Sequence, residues 1–245
     1  MDDQRPLDQL RAACDAMPTV ASFSAALGVA GLGVIAEVKR RSPVRGAMVE
    51  AEVIPADIAR EYEQGGATAI SVLTDTPHFG GSLDDLVSVG ATVDVPVLRK
   101  DFLLSERDLC DARLGGASAA LLIASAMSRE ALEHLIVFST TIGLEVLLEV
   151  HDPQEIVDVD LSGLGFRGAI GINQRDLVTF EVDPTRALAY RKEFGDEFPV
   201  VAESGVQGPE DAWALAAGGY DAILVGETLM RAKDRVAMLR ALRGG

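Results

Sequence analysis

Three stretches of this chain share one grammar: EQGGATAISVLT (63–74), RLGGASAALLIA (113–124) and AAGGYDAILVGE (216–227). In each, a helical pattern ends on a glycine pair, and two residues later an aliphatic run begins. Glycine enters the left-handed conformation that closes a helix without steric cost, so the three read as one helix-to-strand loop used repeatedly. Working outward, the runs AISVLT (69–74), AALLIA (119–124) and AILVGE (222–227) are joined by GVIAEV (33–38), VPVLR (95–99), EVLLEV (145–150), GAIGIN (168–173) and PVVAES (199–204). All are short and apolar on both faces, as parallel strands covered on both sides should be.

Helical spacing fills the gaps. Residues 54–66 place Ile54, Ile58 and Tyr62 on one stripe. Ser105 and Ser128 suit N-caps of helices ending at Gly115 and Gly143, and Pro209 suits a first turn. Eight strands, each feeding a helix, fit a closed (β/α)8 barrel of the TIM type, an α/β fold. An open doubly wound sheet is the rival, but no GxGxxG follows the first strand. A short helical extension, helical over 7–29, occupies residues 1–30, and the whole of 1–245 reads as one domain.

The 245 residues carry 38 acidic against 22 basic groups, a net charge of −16. Long-range repulsion therefore excludes nucleic acid and anionic membrane as partners. A small phosphorylated ligand remains open, because a few local cations and backbone N–H groups hold it. The acidic start resembles no signal peptide, and no run is apolar enough to span a bilayer. Cys14 and Cys110 lie far apart and form no CxxC, which suits a reducing cytoplasm. His78, His134 and His151 share no metal-ligand spacing and read as structural or surface residues, so no metal is expected.

In such a barrel the active site lies at the C-terminal ends of the strands. Glu37 and Lys39 follow the first strand, Lys100 the third and Glu149 the fifth. Asn173 and Arg175 follow the sixth, Glu203 and Ser204 the seventh, Gly226 and Glu227 the eighth. Side chains two apart share a face, so Glu37 pairs in direction with Lys39, Leu98 with Lys100, Leu147 with Glu149 and Val201 with Glu203. Two lysines and at least two glutamates thus converge on one mouth. Partial desolvation should lower the lysine pKa values and raise those of the carboxylates, as acid–base chemistry at neutral pH needs. The glycine-bearing stretches ESGVQG (203–208) and VGETLM (225–230) suit a phosphate site, provided Glu227 turns its carboxylate aside. Phe79, Phe102 and Phe180 follow the second, third and sixth strands, where they could wall a planar ligand.

At these residues the chain resembles the indole-3-glycerol phosphate synthases. The resemblance runs from about Phe23 to the C-terminus through IAEVKRRSP (35–43), SVLTDTPHFGGS (71–82), PVLRKDF (96–102), LLEVHD (147–152), GINQRDL (171–177), AESGV (202–206) and VGETLM (225–230). It implies a cofactor-free carboxy-lyase of tryptophan biosynthesis that closes an indole ring on a carboxyphenylamino-deoxyribulose phosphate, losing carbon dioxide and water. On that resemblance Lys100 is the general acid or cation, and Lys39 supports the ketone and hydroxyls or shares the acid role. Glu149 is the base and Glu37 assists loss of the hydroxyl. Asn173 and Arg175 orient the set, while Glu203 and Ser204 line the pocket. Ser42, Gly205, Gly226 and Glu227 match phosphate positions, and Phe79 and Phe102 match aromatic contacts. Glu227 stands where many relatives carry a small hydroxyl residue, Val44 and Arg45 replace a commoner Ser-Lys, and the extension, which helps cover the mouth in relatives, is short. Two alternatives are a phosphoribosylanthranilate isomerase-like barrel and a non-catalytic ligand-binding relative. The expected partner is a phosphorylated small molecule, bound by a monomer or weak homo-oligomer.

Overall fold

The computed structural model describes residues 5–42, 46–47, 54–175, 181–183 and 185–244. Eight parallel strands close into a barrel: β1 (Gly33–Val38), β2 (Ala69–Leu73), β3 (Val97–Lys100), β4 (Ala119–Ile123), β5 (Glu145–Val150), β6 (Gly168–Asn173), β7 (Val200–Glu203) and β8 (Ala222–Val225). Each pairs with the next in chain order, and β8 returns to β1 with Ala222 opposite Gly33. Alternate residues face opposite ways along a strand. Ile35, Leu98, Leu121, Leu147, Val201 and Leu224 fill the interior, whereas Val34, Ile70, Leu122, Leu148 and Ile223 pack outward into the shell under the helices.

The three glycine-pair loops are built alike. They follow helices Pro55–Gly65, Glu106–Leu114 and Pro209–Ala217. In every case the second glycine is left-handed, with φ of 90° at Gly66, 88° at Gly116 and 88° at Gly219. The next amide then reaches back to the last turn: Ala67 N to Tyr62 O at 2.9 Å, Ala117 N to Ala112 O at 3.0 Å, Tyr220 N to Leu215 O at 3.2 Å. The residue just before each strand completes the joint. Thr68 Oγ1 accepts from Val34 N at 3.0 Å, Ser118 Oγ from Val97 N at 3.4 Å, and Asp221 Oδ2 from Val200 N at 2.8 Å. A side-chain oxygen thus satisfies an amide near the start of the preceding strand, fastening each strand to its predecessor.

Four expectations change. The N-terminal helical segment is two helices, Leu7–Asp15 and Phe23–Leu27, separated around Pro18. The first runs down the outer wall, its Cys14 Sγ 3.8 Å from Cys110 O, so two cysteines remote in sequence meet as free, buried thiols. The second plugs the N-terminal end of the barrel, opposite the mouth: Phe23 and Leu27 join the interior cluster. Glu145, at the first position of β5, accepts from Ser22 Oγ and Ser24 N, each at 2.7 Å. The described extension therefore closes the floor rather than covering the mouth. Ile54 precedes its helix and is 55% exposed, while Ile58 and Tyr62 are buried as the stripe requires. Finally, β5 is followed among the described residues by a 3₁₀ turn, Pro153–Ile156, and not by an α-helix.

Candidate active site

The inward parity of the strand ends gathers the charged residues. Lys100 Nζ, at the end of β3, donates to Glu149 Oε2 of β5 at 3.0 Å and to Glu203 Oε2 of β7 at 3.1 Å. Both carboxylates are 1% exposed at the side chain. Asn173 Nδ2, ending β6, donates to Glu149 Oε1 at 3.0 Å. Asn173 Oδ1 in turn accepts from Ser204 Oγ at 2.9 Å and from Arg175 N at 3.0 Å. Beside this network, Lys39 Nζ lies 2.7 Å from Glu37 Oε1 and 5.8 Å from the centre of the Phe79 ring. Glu37 is buried.

Space for these carboxylates is made by glycine. A methyl group on Gly171 would collide with Glu203 Oε1, and one on Gly226 with Glu37 Oε1. Strand β6 and the residue just after β8 thus leave room where β7 and β1 insert an acid.

Charge counting corrects the expected pKa directions of Lys100 and Glu149. Burial alone would lower Lys100, but the carboxylates of Glu149, Glu203 and Glu37 outweigh it and hold the ammonium above its ordinary value. Burial works against ionised Glu149 too, yet Lys100 and the Asn173 hydrogen bond keep that carboxyl below its usual value. Glu203 goes the other way. Burial, reinforced by the Glu149 charge and opposed by Lys100, pushes it up to about 8. One ammonium cannot compensate two dry carboxylates, so at neutral pH Glu203 holds a proton.

After β7 the chain turns through two left-handed residues, Ser204 at φ 66° and Gly205 at φ 84°. Gln174 Nε2 donates to Ser204 O at 2.7 Å and fixes the turn. A methyl group on Gly205 would stand 3.1 Å from Val182 Cγ1 and 3.2 Å from Gln174 Nε2, so those side chains would have to give way. Thr228 Oγ1 donates to Val206 O at 2.6 Å, tying the loop after β7 to the one after β8. Gly226 precedes the short helix Glu227–Arg231, and the Glu227 carboxylate lies 3.4 Å from Arg231, one turn on.

Phe102 stands half-exposed at the rim, its ring 6.2 Å from His78. Ser42 pairs through its backbone with Gly46 in a two-residue hairpin; its side chain, with Val44, Arg45 and Phe180, lies outside the described residues. His78 and His134 sit on the surface beside Asp75 and Glu106. His151 does not. It is largely buried, its Nε2 3.8 Å from Glu149 Oε1 and its Nδ1 4.0 Å from Glu155 Oε1. The sequence reading placed it with the structural or surface histidines; standing two residues beyond Glu149, it shares that residue's face. Ser71 was also missed: its buried hydroxyl lies beside Glu37 in the β1–β2 register and has no hydrogen-bond partner among the described residues.

A closed parallel barrel with lysines and carboxylates interlocked at its C-terminal mouth defines a (β/α)8 acid–base enzyme. Comparison with known proteins narrows the class. Residues 1–242 match the family described as indole-3-glycerol phosphate synthase. Indole-3-glycerol phosphate synthase 2 of Streptomyces coelicolor is 46% identical over 231 residues, covering 94% of this chain and 87% of that protein. The Mycolicibacterium smegmatis indole-3-glycerol phosphate synthase is 43% identical over 228 residues, 93% of this chain and 82% of the relative. This chain belongs to the indole-3-glycerol phosphate synthase family. Among solved structures, a thiamine phosphate pyrophosphorylase from Pyrococcus furiosus (TM-score 0.62, 19% identity, 86% of this chain and 94% of that one) and a 3-hexulose-6-phosphate synthase (0.66, 15%, 86% and 98%) share the fold.

Proposed function

We propose that the chain converts 1-(2-carboxyphenylamino)-1-deoxyribulose 5-phosphate to indole-3-glycerol phosphate, carbon dioxide and water. The observation that carries the reading is Lys100 held between Glu149 and Glu203, with the Lys39–Glu37 pair beside it. With Glu203 protonated, these five groups sum to zero charge, leaving two ammonium groups able to meet an anionic substrate.

The reaction begins when the ring carbon bearing the carboxylate attacks the ketone carbon. Negative charge grows on the ketone oxygen, where a fixed cation or proton donor lowers the barrier most. Lys100 fills that role and Lys39 supports the oxygens. Carbon dioxide then leaves, its bonding electrons restoring the aromatic ring. Glu149 removes the proton whose loss completes the indole, and the former ketone oxygen departs as water with the help of Glu37 and Lys39. Asn173 orients Glu149 through its amide, and Ser204 orients Asn173; Arg175 and Glu203 complete the lining. Phe79 and Phe102 flank the planar ring. The phosphate goes to the tied loops of Gly205 and Gly226, with Ser42 from the first loop. Glu227, drawn toward Arg231, leaves the contact to backbone N–H groups.

Two free thiols suit a reducing compartment, and we place the enzyme in the cytoplasm as a monomer or weak homo-oligomer. Incubation of the purified protein with the carboxyphenylamino sugar phosphate tests the reading. Growth of indole fluorescence with equimolar carbon dioxide supports it; unchanged substrate at micromolar enzyme refutes it.

A further inference from the structure

Proton bookkeeping exposes a demand that Lys100 and Glu149 alone do not meet. The ketone oxygen leaves as water and so needs two protons. One is released within the substrate when the five-membered ring becomes aromatic. The attacking ring carbon sheds carbon dioxide rather than a proton, so with an ionised substrate carboxylate the second must enter from solvent in every turnover. Yet Glu149 is 1% exposed, and Lys100 is turned inward between two carboxylates.

His151 stands where such an entry would be. Its ring lies between Glu149 Oε1, 3.8 Å from Nε2, and Glu155 Oε1, 4.0 Å from Nδ1. Nε2 is buried and has no hydrogen-bond partner among the described residues. Among the described residues Glu149 Oε1 accepts a hydrogen bond from Asn173 Nδ2, and a carboxylate oxygen carries a second lone pair. Glu155, on the 3₁₀ turn after β5, is 21% exposed at the side chain and anchored through its other oxygen, which accepts from His151 N at 3.1 Å. Both ring gaps exceed a hydrogen bond, but catalytic contacts in unliganded sites are commonly long and tighten with substrate.

We infer that His151 relays solvent protons from Glu155 to Glu149, recharging the acid–base cluster between turnovers. The inference rests on the reaction proposed above. Once the proton that Glu149 took from substrate has left with the departing oxygen, Lys100 alone lacks its proton. One then passes from the Glu155 carboxyl to Nδ1 as the Nε2 proton passes to ionised Glu149 Oε1, and Glu149 hands it to the deprotonated amine of Lys100. Glu155 takes a replacement from water. The ring, left with its proton on Nδ1, resets by rotation or by exchange at its exposed edge. No bond other than those to hydrogen changes, and His151 never touches substrate, so it serves the reaction through Glu149.

The test is His151→Gln, with Glu155→Gln as a second variant on a partly exposed side chain should the first fail to fold. Under the relay both variants lose kcat by about tenfold or more with unchanged KM. Added imidazole restores kcat in His151→Gln, and the solvent deuterium isotope effect on kcat rises in both. Wild-type kcat in a folded variant of either kind overturns the relay. So does a loss that imidazole leaves untouched, which would make His151 a brace for Glu149. A wild-type protein that forms no indole product refutes the underlying reaction instead, so the two failures are distinguishable.

Discussion

At the residue scale, the mouth is governed by a shortage of positive charge. Lys100 serves two buried carboxylates, and the surplus negative charge is removed by a proton on Glu203. Lys100→Ala and Glu149→Gln should each lower turnover about 10²-fold or more while circular dichroism stays unchanged; near-normal rates in either variant would strip that residue of its role. Glu203 also makes a stability prediction. Its folded pKa of about 8 lies above the unfolded value, so its contribution is fully present below the unfolded carboxylate range and lost as pH rises through about 8. Glu203→Gln cannot ionise. Its melting temperature relative to wild type should therefore be more favourable at pH 8 than at pH 5, and an equal difference at both would rule out the protonated carboxyl. Parity along each strand made Glu37, Lys39, Lys100, Glu149 and Glu203 legible as one inward set. The pKa directions of Lys100 and Glu149 were not legible, because they depend on how many acids one lysine must face across the barrel; the rise expected of a buried carboxyl is met at Glu203. His151 was within reach of the same parity argument, but histidine was weighed for metal spacing alone and read as structural or surface.

At the element scale, the strands announced themselves through short runs buried on both faces, and three of the eight bore identical joints. The glycine pair was visible in those joints; the work of Thr68, Ser118 and Asp221 was not, since their acceptor role requires knowing that the preceding strand lies alongside. The N-terminal segment was misjudged for a related reason. Helical periodicity gives the burial of Phe23 and Leu27 but not which end of the barrel they close. Glu145 supplies that answer by capping the helix that carries them. Glu145→Ala removes two charge-assisted hydrogen bonds and should cost about 2–3 kcal/mol in urea unfolding. Phe23→Ala, which hollows the floor, should cost about 3–5 kcal/mol. Both are expected to retain wild-type kcat at permissive temperature, because the floor lies at the far end from the chemistry. A fall in kcat without loss of stability would show that the floor is coupled to the mouth. The missing helix after β5 was illegible for a plainer reason: Pro153, Ile156 and Val157 give too short a pattern to separate one turn from a helix.

At the scale of the whole molecule, the acidic surface and the site act on substrate over different distances. A net charge of −16 repels a phosphorylated carboxylate from afar, while Lys39, Lys100 and the backbone amides attract it at contact. Salt shortens the Debye length from about 30 Å at 0.01 M to about 8 Å at 0.15 M, so it quiets the distant repulsion first. Over that interval kcat/KM should rise; a steep fall would mean that a local positive field at the mouth dominates capture. The net charge set the expectation against polyanionic partners, but the sequence offered no measure of how the few cations would be screened by their own acidic neighbours.

The closure of β8 onto β1 has one more effect. A ring has no outermost member, so no barrel strand offers a bare row of amides and carbonyls to a passing chain, and none can peel away without tearing two seams at once. For a protein with 48% hydrophobic residues, that guards against fibrous assembly and against piecemeal loss of the wall that holds the acids in place.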